Sequence, residues 1–178
     1  TGVEVDVISG ELEAKLGYYG TRLATNLRDG AVFDIGGGST EILEVRGGEI
    51  RKAQSLPIGS LALFNTCVDG LWPKKKELKK IRTAVASALK EAWLPEQRVE
   101  KVCGVGGTAR AVLKIANAWY EKPAGNRSLT PAEVRRLTRL LLERDHQARK
   151  LILRSCPDRV HTILPGMMLM NTLTEKLC

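Results

Sequence analysis

The sequence predicts an α/β domain, and three observations support that prediction. The chain has 178 residues, of which 43 % are hydrophobic, so a single domain can bury a substantial core. Segments with a period of two, typical of strands, occur together with segments whose apolar residues recur every three or four positions, typical of helices. Glycine-rich turns connect the strand-like segments. We therefore expect mixed strands with intervening helices.

The N-terminal segment is expected to form a strand followed by an amphipathic helix. Residues 3–8 alternate apolar and acidic side chains, which predicts the strand. Ser9 can cap the helix that follows, and Leu12, Leu16 and Tyr19 would form its apolar face.

The next segment predicts a three-stranded antiparallel meander. Its strands are expected at 31–35, 40–46 and about 49–55. The sequence GGGS joins the first two strands, and Gly47-Gly48 joins the second to the third.

The remainder predicts helices around one more strand, at 99–105. The helices are expected over 58–67, 74–93, 108–119, 130–142, 145–153 and 167–177. The second of these has an apolar stripe that ends at Trp93, and Thr130 with Glu133 forms a capping box at the start of the fourth. Residues 159–164 are expected to form a short strand or helix before the last one.

The composition favours a soluble cytoplasmic protein that attracts polyanions. The 28 basic and 20 acidic residues give a net charge of +8. Aromatic residues are only 4 %, which leaves few side chains for stacking on single-stranded nucleic acid. The lysines within 74–80 are expected to form a solvated face, and nucleic acid is therefore not an expected partner. No apolar run is long enough to cross a membrane, and no secretory signal opens the sequence. The four cysteines form no CxxC pair, and Cys67 and Cys103 lie in apolar contexts, so we expect reduced thiols with these two buried.

The strongest functional signal is an acidic pair that flanks a glycine-rich turn. In a hairpin whose turn is Gly37-Gly38, Asp34 lies directly opposite Glu41, with Cβ atoms roughly 5 Å apart. Like charges at that distance repel unless a cation or a proton lies between them. Mg²⁺ binds through one or two carboxylates together with phosphate oxygens, so the pair predicts a metal and phosphate site.

The loop between the two acids can itself bind phosphate. Backbone amides of Gly36, Gly37 and Gly38 can approach an oxygen closely, and Ser39 and Thr40 add hydroxyl donors. The alternative is a glycine-rich hairpin with two solvated carboxylates, but that would need neither a third glycine nor the hydroxyls.

Two further segments could belong to the same site. In GVGGTA a strand turns into a helix, so Gly106, Gly107 and Thr108 would lie at a helix N-terminus that favours an anion, although close strand–helix packing also selects glycine. Glu13 lies one turn into the first predicted helix, outside its apolar face, where it would face either solvent or a cleft.

Four segments resemble the exopolyphosphatase/guanosine pentaphosphate phosphatase family, a branch of the superfamily of sugar kinases, Hsp70 and actin. They are VISGELEAKLGYYG, FDIGGGSTEILEV, CGVGGTARAV and RVHTILPGMMLMNTLTEKL, in that order, and they cover nearly the whole chain. The motif DIGGGSTE is highly specific, whereas GVGGTA is shared more widely in the superfamily.

The resemblance implies a ribonuclease-H-like domain of the actin-like ATPase type, with the order βββαβαβα and flanking helices. It also implies Mg²⁺-dependent hydrolysis of a terminal phosphoanhydride bond in polyphosphate or guanosine pentaphosphate. By motif, Glu13 corresponds to the general base that activates water, and Asp34 and Glu41 to catalytic, metal-associated acids. Gly36 to Thr40 and Gly106 to Thr108 correspond to phosphate-binding positions.

The sequence departs from the family pattern at Leu12, Lys15 and His161, where the family usually has Glu, Arg and Asp. The phosphate loop and arginines of the family's first domain are also absent, so residues 1–178 are expected to be the second domain of a two-domain core. We therefore expect that first domain as a partner, little activity from the isolated chain, and a homodimer as the resemblance implies.

Two other functions remain open from the sequence. One is a non-catalytic module that binds polyphosphate or an alarmone, and the other is an ATPase or kinase of the same superfamily.

Overall fold

The computed structural model describes residue 2, residues 6–143 and residues 146–178. The elements, in chain order, are α1 (Gly10–Thr25), β1 (Gly30–Ile35), β2 (Thr40–Arg46), β3 (Glu49–Leu56), α2 (Ser60–Cys67), α3 (Lys75–Lys90), β4 (Val102–Val105), α4 (Gly106–Trp119), α5 (Pro131–Glu143), α6 (His146–Ser155) and α7 (Ile163–Leu177). A short 3-10 turn spans Pro157–Arg159. Among the described residues, no helix has the length and apolar character that crossing a membrane requires.

The strands form one mixed sheet in the order β3-β2-β1-β4. β1 pairs antiparallel with β2, and β2 with β3, which confirms the predicted meander. β4 pairs parallel with β1 on the other side. Because β1, β3 and β4 run in the same direction, the loops that follow these three strands all lie at one edge of the sheet, which we call the carboxyl edge.

Helices cover both faces of the sheet, which confirms the α/β class. α1 packs on one face over a small cluster that includes Tyr18, Val32 and Leu43. Helices α2 to α7 cover the other face and enclose the main core, to which β1 contributes Phe33 and Ile35. The sheet therefore separates a thin layer, formed by α1 alone, from a thick helical layer.

The predicted apolar face of α1 is wrong. Leu12, Leu16 and Tyr19 are 43 %, 53 % and 54 % exposed, whereas the buried face consists of Ala14, Tyr18 and Thr21. The single proton of the Tyr18 hydroxyl is shared between the carbonyl oxygens of Leu27 (3.2 Å) and Gly48 (3.1 Å). These two bonds explain why the helix packs through Tyr18 rather than through its leucines. Ser9 caps α1 as predicted, since its hydroxyl accepts from the amide of Leu12.

Residues 6–8 do not form the strand that was predicted over 3–8, and residues 3–5 lie outside the described residues. Val7 is 96 % exposed, and no strand in the described part of the chain pairs with residues 6–8.

Two elements, β4 and α3, are shorter than the sequence predicts. The amide of Val99 donates to the carbonyl of Leu177 (2.8 Å) instead of to the sheet, so β4 begins only at Val102. Trp93 lies beyond the end of α3, where its amide donates to the side chain of Gln54 (3.1 Å) on the edge strand β3.

The capping box of Thr130 and Glu133 is present, with reciprocal bonds of 2.8 and 3.2 Å at the start of α5.

The last helix begins earlier than predicted. Residues 159–164 form no strand; α7 starts at Ile163, and Pro165 lies in its first turn, where proline is tolerated. α7 is buried nearly all round, which is typical of a helix at the centre of a core. The chain follows the expected order βββαβαβα as far as its fourth strand and the helix after it. Within the described residues no fifth strand follows.

Candidate functional site

The acidic pair is arranged as the sequence predicts. Asp34 is the cross-strand partner of Glu41, and the turn between them is closed by the amide of Gly36, which donates to the carbonyl of Ser39 at 3.0 Å. Because side chains alternate along a strand, both carboxylates project to the face that α1 covers. The two acids thus share one face, next to the carboxyl edge of the sheet.

The surroundings of the pair are unfavourable to two negative charges. Glu41 is only 4 % exposed, and its Oε1 accepts a hydrogen bond of 2.7 Å from the hydroxyl of Ser55 on β3. Burial raises the pKa of Asp34, and the charge of Glu41 raises it further, while the Arg110 guanidinium acts in the opposite direction. A cation between the carboxylates would relieve both the desolvation and the repulsion.

Glu13 reaches the same place from α1. It lines a small cavity together with Asp34 and Glu41, and Ala14 and Gly17 form part of the wall on the α1 side. The cavity volume is about 20 Å³, roughly what one water molecule needs. Of the two positions left open by the sequence, solvent or cleft, Glu13 therefore lies at the mouth of a cleft and remains solvent-exposed.

The triple-glycine loop has its carbonyl groups turned toward α2. The amide of Ser60 donates to the carbonyl of Gly36 (2.9 Å), and the amides of Leu61 and Ala62 donate to that of Gly37 (3.0 and 2.9 Å). Within the described residues, the amides of Gly37 and Gly38 have no such partner. The loop is thus held from behind by a helix N-terminus, and its own donors remain free to bind an anion.

The second glycine loop meets Asp34 directly. Val105, the last residue of β4, is the parallel partner of Asp34, and Gly106 follows with φ +77°. A Cβ at Gly106 would lie 2.0 Å from Oδ1 of Asp34, so no larger residue fits there without displacing the carboxylate. α4 starts at this point without a side-chain cap, which leaves its first amides available at the carboxyl edge.

Two predicted phosphate donors point elsewhere. The hydroxyl of Thr40 is buried and donates to the carbonyl of Ile58 (2.6 Å), and that of Thr108 is buried and donates to the carbonyl of Ile35 (2.9 Å). A hydroxyl has one proton, so neither side chain can also donate to a phosphate. Contrary to the sequence-based expectation, these hydroxyls stabilise the loops through hydrogen bonds to buried carbonyl groups. Ser39 remains partly exposed on the turn.

Sequence reasoning missed two cations and one hydroxyl at this edge. The guanidinium of Arg159 packs against Gly107, where a Cβ would lie 2.1 Å from its Nη2. Arg110 projects from α4 near enough to Asp34 to affect its pKa, and Ser55 binds Glu41. Arg159 lay within a segment that carried the family resemblance, which was the one signal that could have marked it.

The arrangement fits a divalent ion held by few protein ligands. Among the described residues, no three His, Cys, Asp or Glu side chains form a group that could hold a metal by themselves. Two carboxylates, one of them with a raised pKa, instead match the way Mg²⁺ binds through one or two carboxylates plus phosphate oxygens and water. The donor set is therefore compatible with Mg²⁺ only in company with a phosphorylated ligand or water.

Comparisons with known proteins identify the family and the fold. The Ppx/GppA phosphatase family matches residues 1–178. The chain is similar to the crystal structure of the Aquifex aeolicus Ppx/GppA family member, with a TM-score of 0.79 and 24 % identity. It is also similar to an exopolyphosphatase-like protein (TM-score 0.81, 19 % identity) and to an exopolyphosphatase from Cytophaga hutchinsonii ATCC 33406 (TM-score 0.79, 20 % identity).

These solved structures are longer than the chain. The matches cover 99 %, 99 % and 98 % of the 178 residues but 58 %, 59 % and 59 % of the respective relatives. The chain therefore spans less than two thirds of the proteins that share its fold.

Proposed function

Because this chain belongs to the Ppx/GppA phosphatase family, we propose that it forms one wall of the active site of a hydrolase. The proposed reaction removes the terminal phosphoryl group of inorganic polyphosphate or guanosine pentaphosphate. The observation that carries the proposal is the meeting of Glu13, Asp34 and Glu41 at one small cavity between α1 and the sheet, next to the edge where the two glycine loops lie.

Asp34 and Glu41 would hold Mg²⁺. The metal, when bound, would neutralise charge on the phosphate and orient its oxygens. The two carboxylates suit this role because they share one face of the hairpin and the charge of Glu41 helps to raise the pKa of Asp34. Ser55 fixes the orientation of Glu41 through its hydrogen bond.

The two loops would bind the phosphate chain around the metal. The free amides of Gly37 and Gly38 supply donors on one side, with Ser39 beside them. The uncapped start of α4, at Gly106 and Gly107, supplies donors on the other side. Arg159, packed on Gly107, adds a positive charge that can bind phosphate oxygens.

Glu13 would orient the attacking water and accept its proton. Phosphoryl transfer depends on positioning, charge neutralisation and a nucleophile in line with the leaving oxygen. Glu13 approaches the acidic pair from α1, so a water between Glu13 and a phosphate bound near Asp34 and Glu41 would be held on the side away from the glycine loops. This geometry supports general base catalysis.

The remaining wall is proposed to come from a domain outside these 178 residues. In the relatives that share the fold, about two fifths of the chain lies outside the match. A cytoplasmic location is proposed as well, supported by four cysteines that are all unpaired.

A Glu13→Gln variant of the full-length protein tests the role of the base. Phosphate release from polyphosphate is expected to fall roughly 10²–10⁴-fold, because general base catalysis is lost while the side chain keeps its size. Binding of polyphosphate, measured by fluorescence anisotropy, should change less than about twofold.

Glu11→Gln is the matched control, since Glu11 lies in the same helix but forms an exposed ion pair with Lys15 (2.7 Å). Its turnover should equal that of the wild type. If Glu13→Gln retains full turnover, Glu13 is not the base; if the wild type binds polyphosphate but releases no phosphate, the chain belongs to a binding module.

A further inference from the structure

Ser55, on the edge strand β3, contacts both the acidic pair and the helix that carries Glu13. It is the cross-strand partner of Glu41, and its hydroxyl donates a hydrogen bond of 2.7 Å to Oε1 of that carboxylate. The same side chain meets Gly10, the first residue of α1. A Cβ at Gly10 would lie 2.4 Å from the Cβ of Ser55 and 2.7 Å from its Oγ, so α1 begins directly against this serine.

The close approach at Gly10 continues along the helix face that carries Ala14. Ala14 is buried, and it lines the cavity of the acidic pair together with Glu13. Residues three and four apart are neighbours on a helix surface, so Gly10 lies next to both Glu13 and Ala14. The position of Glu13 at the cavity therefore depends on how closely the first turn of α1 approaches the sheet, which the missing Cβ of Gly10 permits.

The hydrogen bond of Ser55 also fixes one oxygen of the Glu41 carboxylate. Groups that bond to a metal-binding carboxylate orient it, and their removal typically lowers metal affinity or activity by roughly 10- to 100-fold. Ser55 is exposed, so the loss of its hydroxyl should have little effect on folding. Its effect on the site can therefore be measured separately from its effect on stability.

We propose that Ser55 is a positioning residue that holds the Glu41 carboxylate and the start of α1 against each other, and thereby sets the placement of Glu13 relative to the acidic pair. The proposal rests on the function proposed above and adds Ser55 and Gly10 to it, neither of which takes part in the reaction itself. It also gives a reason for the glycine at the first position of α1.

Ser55→Ala in the full-length protein tests the effect on Glu41. For polyphosphate at saturating Mg²⁺, kcat should fall roughly 10- to 100-fold and KM should change less than about twofold, because the phosphate-binding loops are intact. Independently of activity, the Mg²⁺ concentration that gives half of the maximal rise in melting temperature should increase roughly tenfold.

Ser87→Ala, which removes an exposed hydroxyl from α3, is the matched control and should equal the wild type in both measurements. If either kcat or the Mg²⁺ midpoint of Ser55→Ala equals that of the control, the hydroxyl does not position Glu41 and the proposal is overturned.

A double-mutant cycle tests the contact with α1. Gly10→Ala should lower the melting temperature by at least ~2 °C and kcat by roughly tenfold or more, because the new Cβ collides with Ser55. In the Ser55→Gly background the colliding atoms are gone, so the same change should leave the melting temperature equal or higher. Gly20→Ala, in the same helix, is the control and should keep full turnover, because a Cβ there meets nothing within 4 Å.

An equal loss of melting temperature in both backgrounds overturns the proposed contact between α1 and Ser55. If the wild type releases no phosphate from polyphosphate, the proposed function fails, and the melting temperatures of the cycle still decide whether Ser55 holds the start of α1. If the wild type turns over and Ser55→Ala and Gly10→Ala do so equally fast, the proposed function stands and the positioning role is wrong.

Discussion

At the scale of single residues, the site contains a carboxyl group and a backbone conformation that are energetically unfavourable where they lie. Asp34 is partly buried beside Glu41, and Gly106 occupies a backbone conformation that other residues rarely adopt. Such positions lower the free energy of unfolding unless a bound ligand offsets the cost, and proteins retain them where function requires them. Substitutions there should separate stability from activity.

Asp34→Asn is expected to stabilise the protein while abolishing hydrolysis. The raised pKa of Asp34 means that the folded state holds its proton at a pH where the unfolded state has lost it, so ionised Asp34 destabilises the fold at neutral pH. The melting temperature at pH 7 should rise by roughly 2–4 °C. The difference should shrink as the pH is lowered through the pKa of Asp34, because the wild-type carboxyl then becomes neutral.

Mg²⁺ supplies the second measurement for this variant. The ion should raise the melting temperature of the wild type and leave that of Asp34→Asn unchanged. Asp69→Asn, at an exposed carboxyl outside the site, is the control and should respond as the wild type does. Equal stabilisation of all three proteins by Mg²⁺ would contradict a metal at Asp34.

Gly106→Ala should lower both stability and turnover. The left-handed backbone alone costs roughly 1–2 kcal/mol for a residue with a Cβ, and here the new atom also collides with the Asp34 carboxylate. Thermal unfolding and phosphate release measure the two effects. Gly125→Ala is the control, because a Cβ there would meet nothing within 4 Å; similar losses in both variants would argue against a specific contact at Gly106.

At the scale of elements, α1 matters because it positions Glu13 and is attached to the sheet by few polar groups. Tyr18 provides the central attachment, with its hydroxyl bonded to the loop before β1 and to the turn between β2 and β3. Its ring is fully buried, whereas the ring of Tyr19 next to it is 54 % exposed. Through this hydroxyl, Tyr18 links the helix to the hairpin that carries Glu41, in addition to the apolar packing of α1 on the sheet.

Tyr18→Phe should destabilise the protein by about 1–3 kcal/mol, since two carbonyl groups lose a buried donor. Urea denaturation gives the free energy of unfolding. Tyr19→Phe removes the same hydroxyl from an exposed ring and should change stability by less than about 0.5 kcal/mol. If the two variants are equally stable, the hydroxyl of Tyr18 does not hold α1 in place.

At the scale of the whole molecule, the described surface keeps large apolar groups in contact with solvent. Leu12, Leu16, Tyr19 and Leu23 follow one face of α1 and are all exposed, Leu23 by 92 %. Beside β4, whose outer edge has no strand partner among the described residues, a groove of about 460 Å³ is lined largely by apolar residues that include Phe33 and Leu129. Surfaces of this kind are typical of contacts with further protein.

Hydrolysis is therefore expected to need more than these 178 residues. Phosphate release by residues 1–178 alone should be at least ~100-fold slower than release by the full-length protein, because one wall cannot position the substrate. Equal rates per molecule would show that the second wall is dispensable. Polyphosphate binding to residues 1–178 should persist at low salt, since the net charge is +8.

Features with short-range causes could be predicted from the sequence. The pairing of Asp34 with Glu41 follows from a turn of adjacent glycines, which sets the register within a few residues. The cap at Ser9 and the capping box of Thr130 and Glu133 likewise depend on neighbours three positions away. For the same reason the strand bounds of the meander were predicted to within a residue or so.

Other features depend on groups that only the folded chain brings together. The burial of Tyr18 in place of the α1 leucines follows from acceptors on a distant loop and turn. Thr40 and Thr108 face the core because the carbonyls of Ile58 and Ile35 happen to lie opposite them. Arg159, which follows α6 in the chain, contacts Gly107 because α6 packs against α4. The sequence by itself determined the acidic pair and its glycine loops, whereas the tertiary structure decided which side chains face that pair, because such contacts are set by packing between segments far apart along the chain.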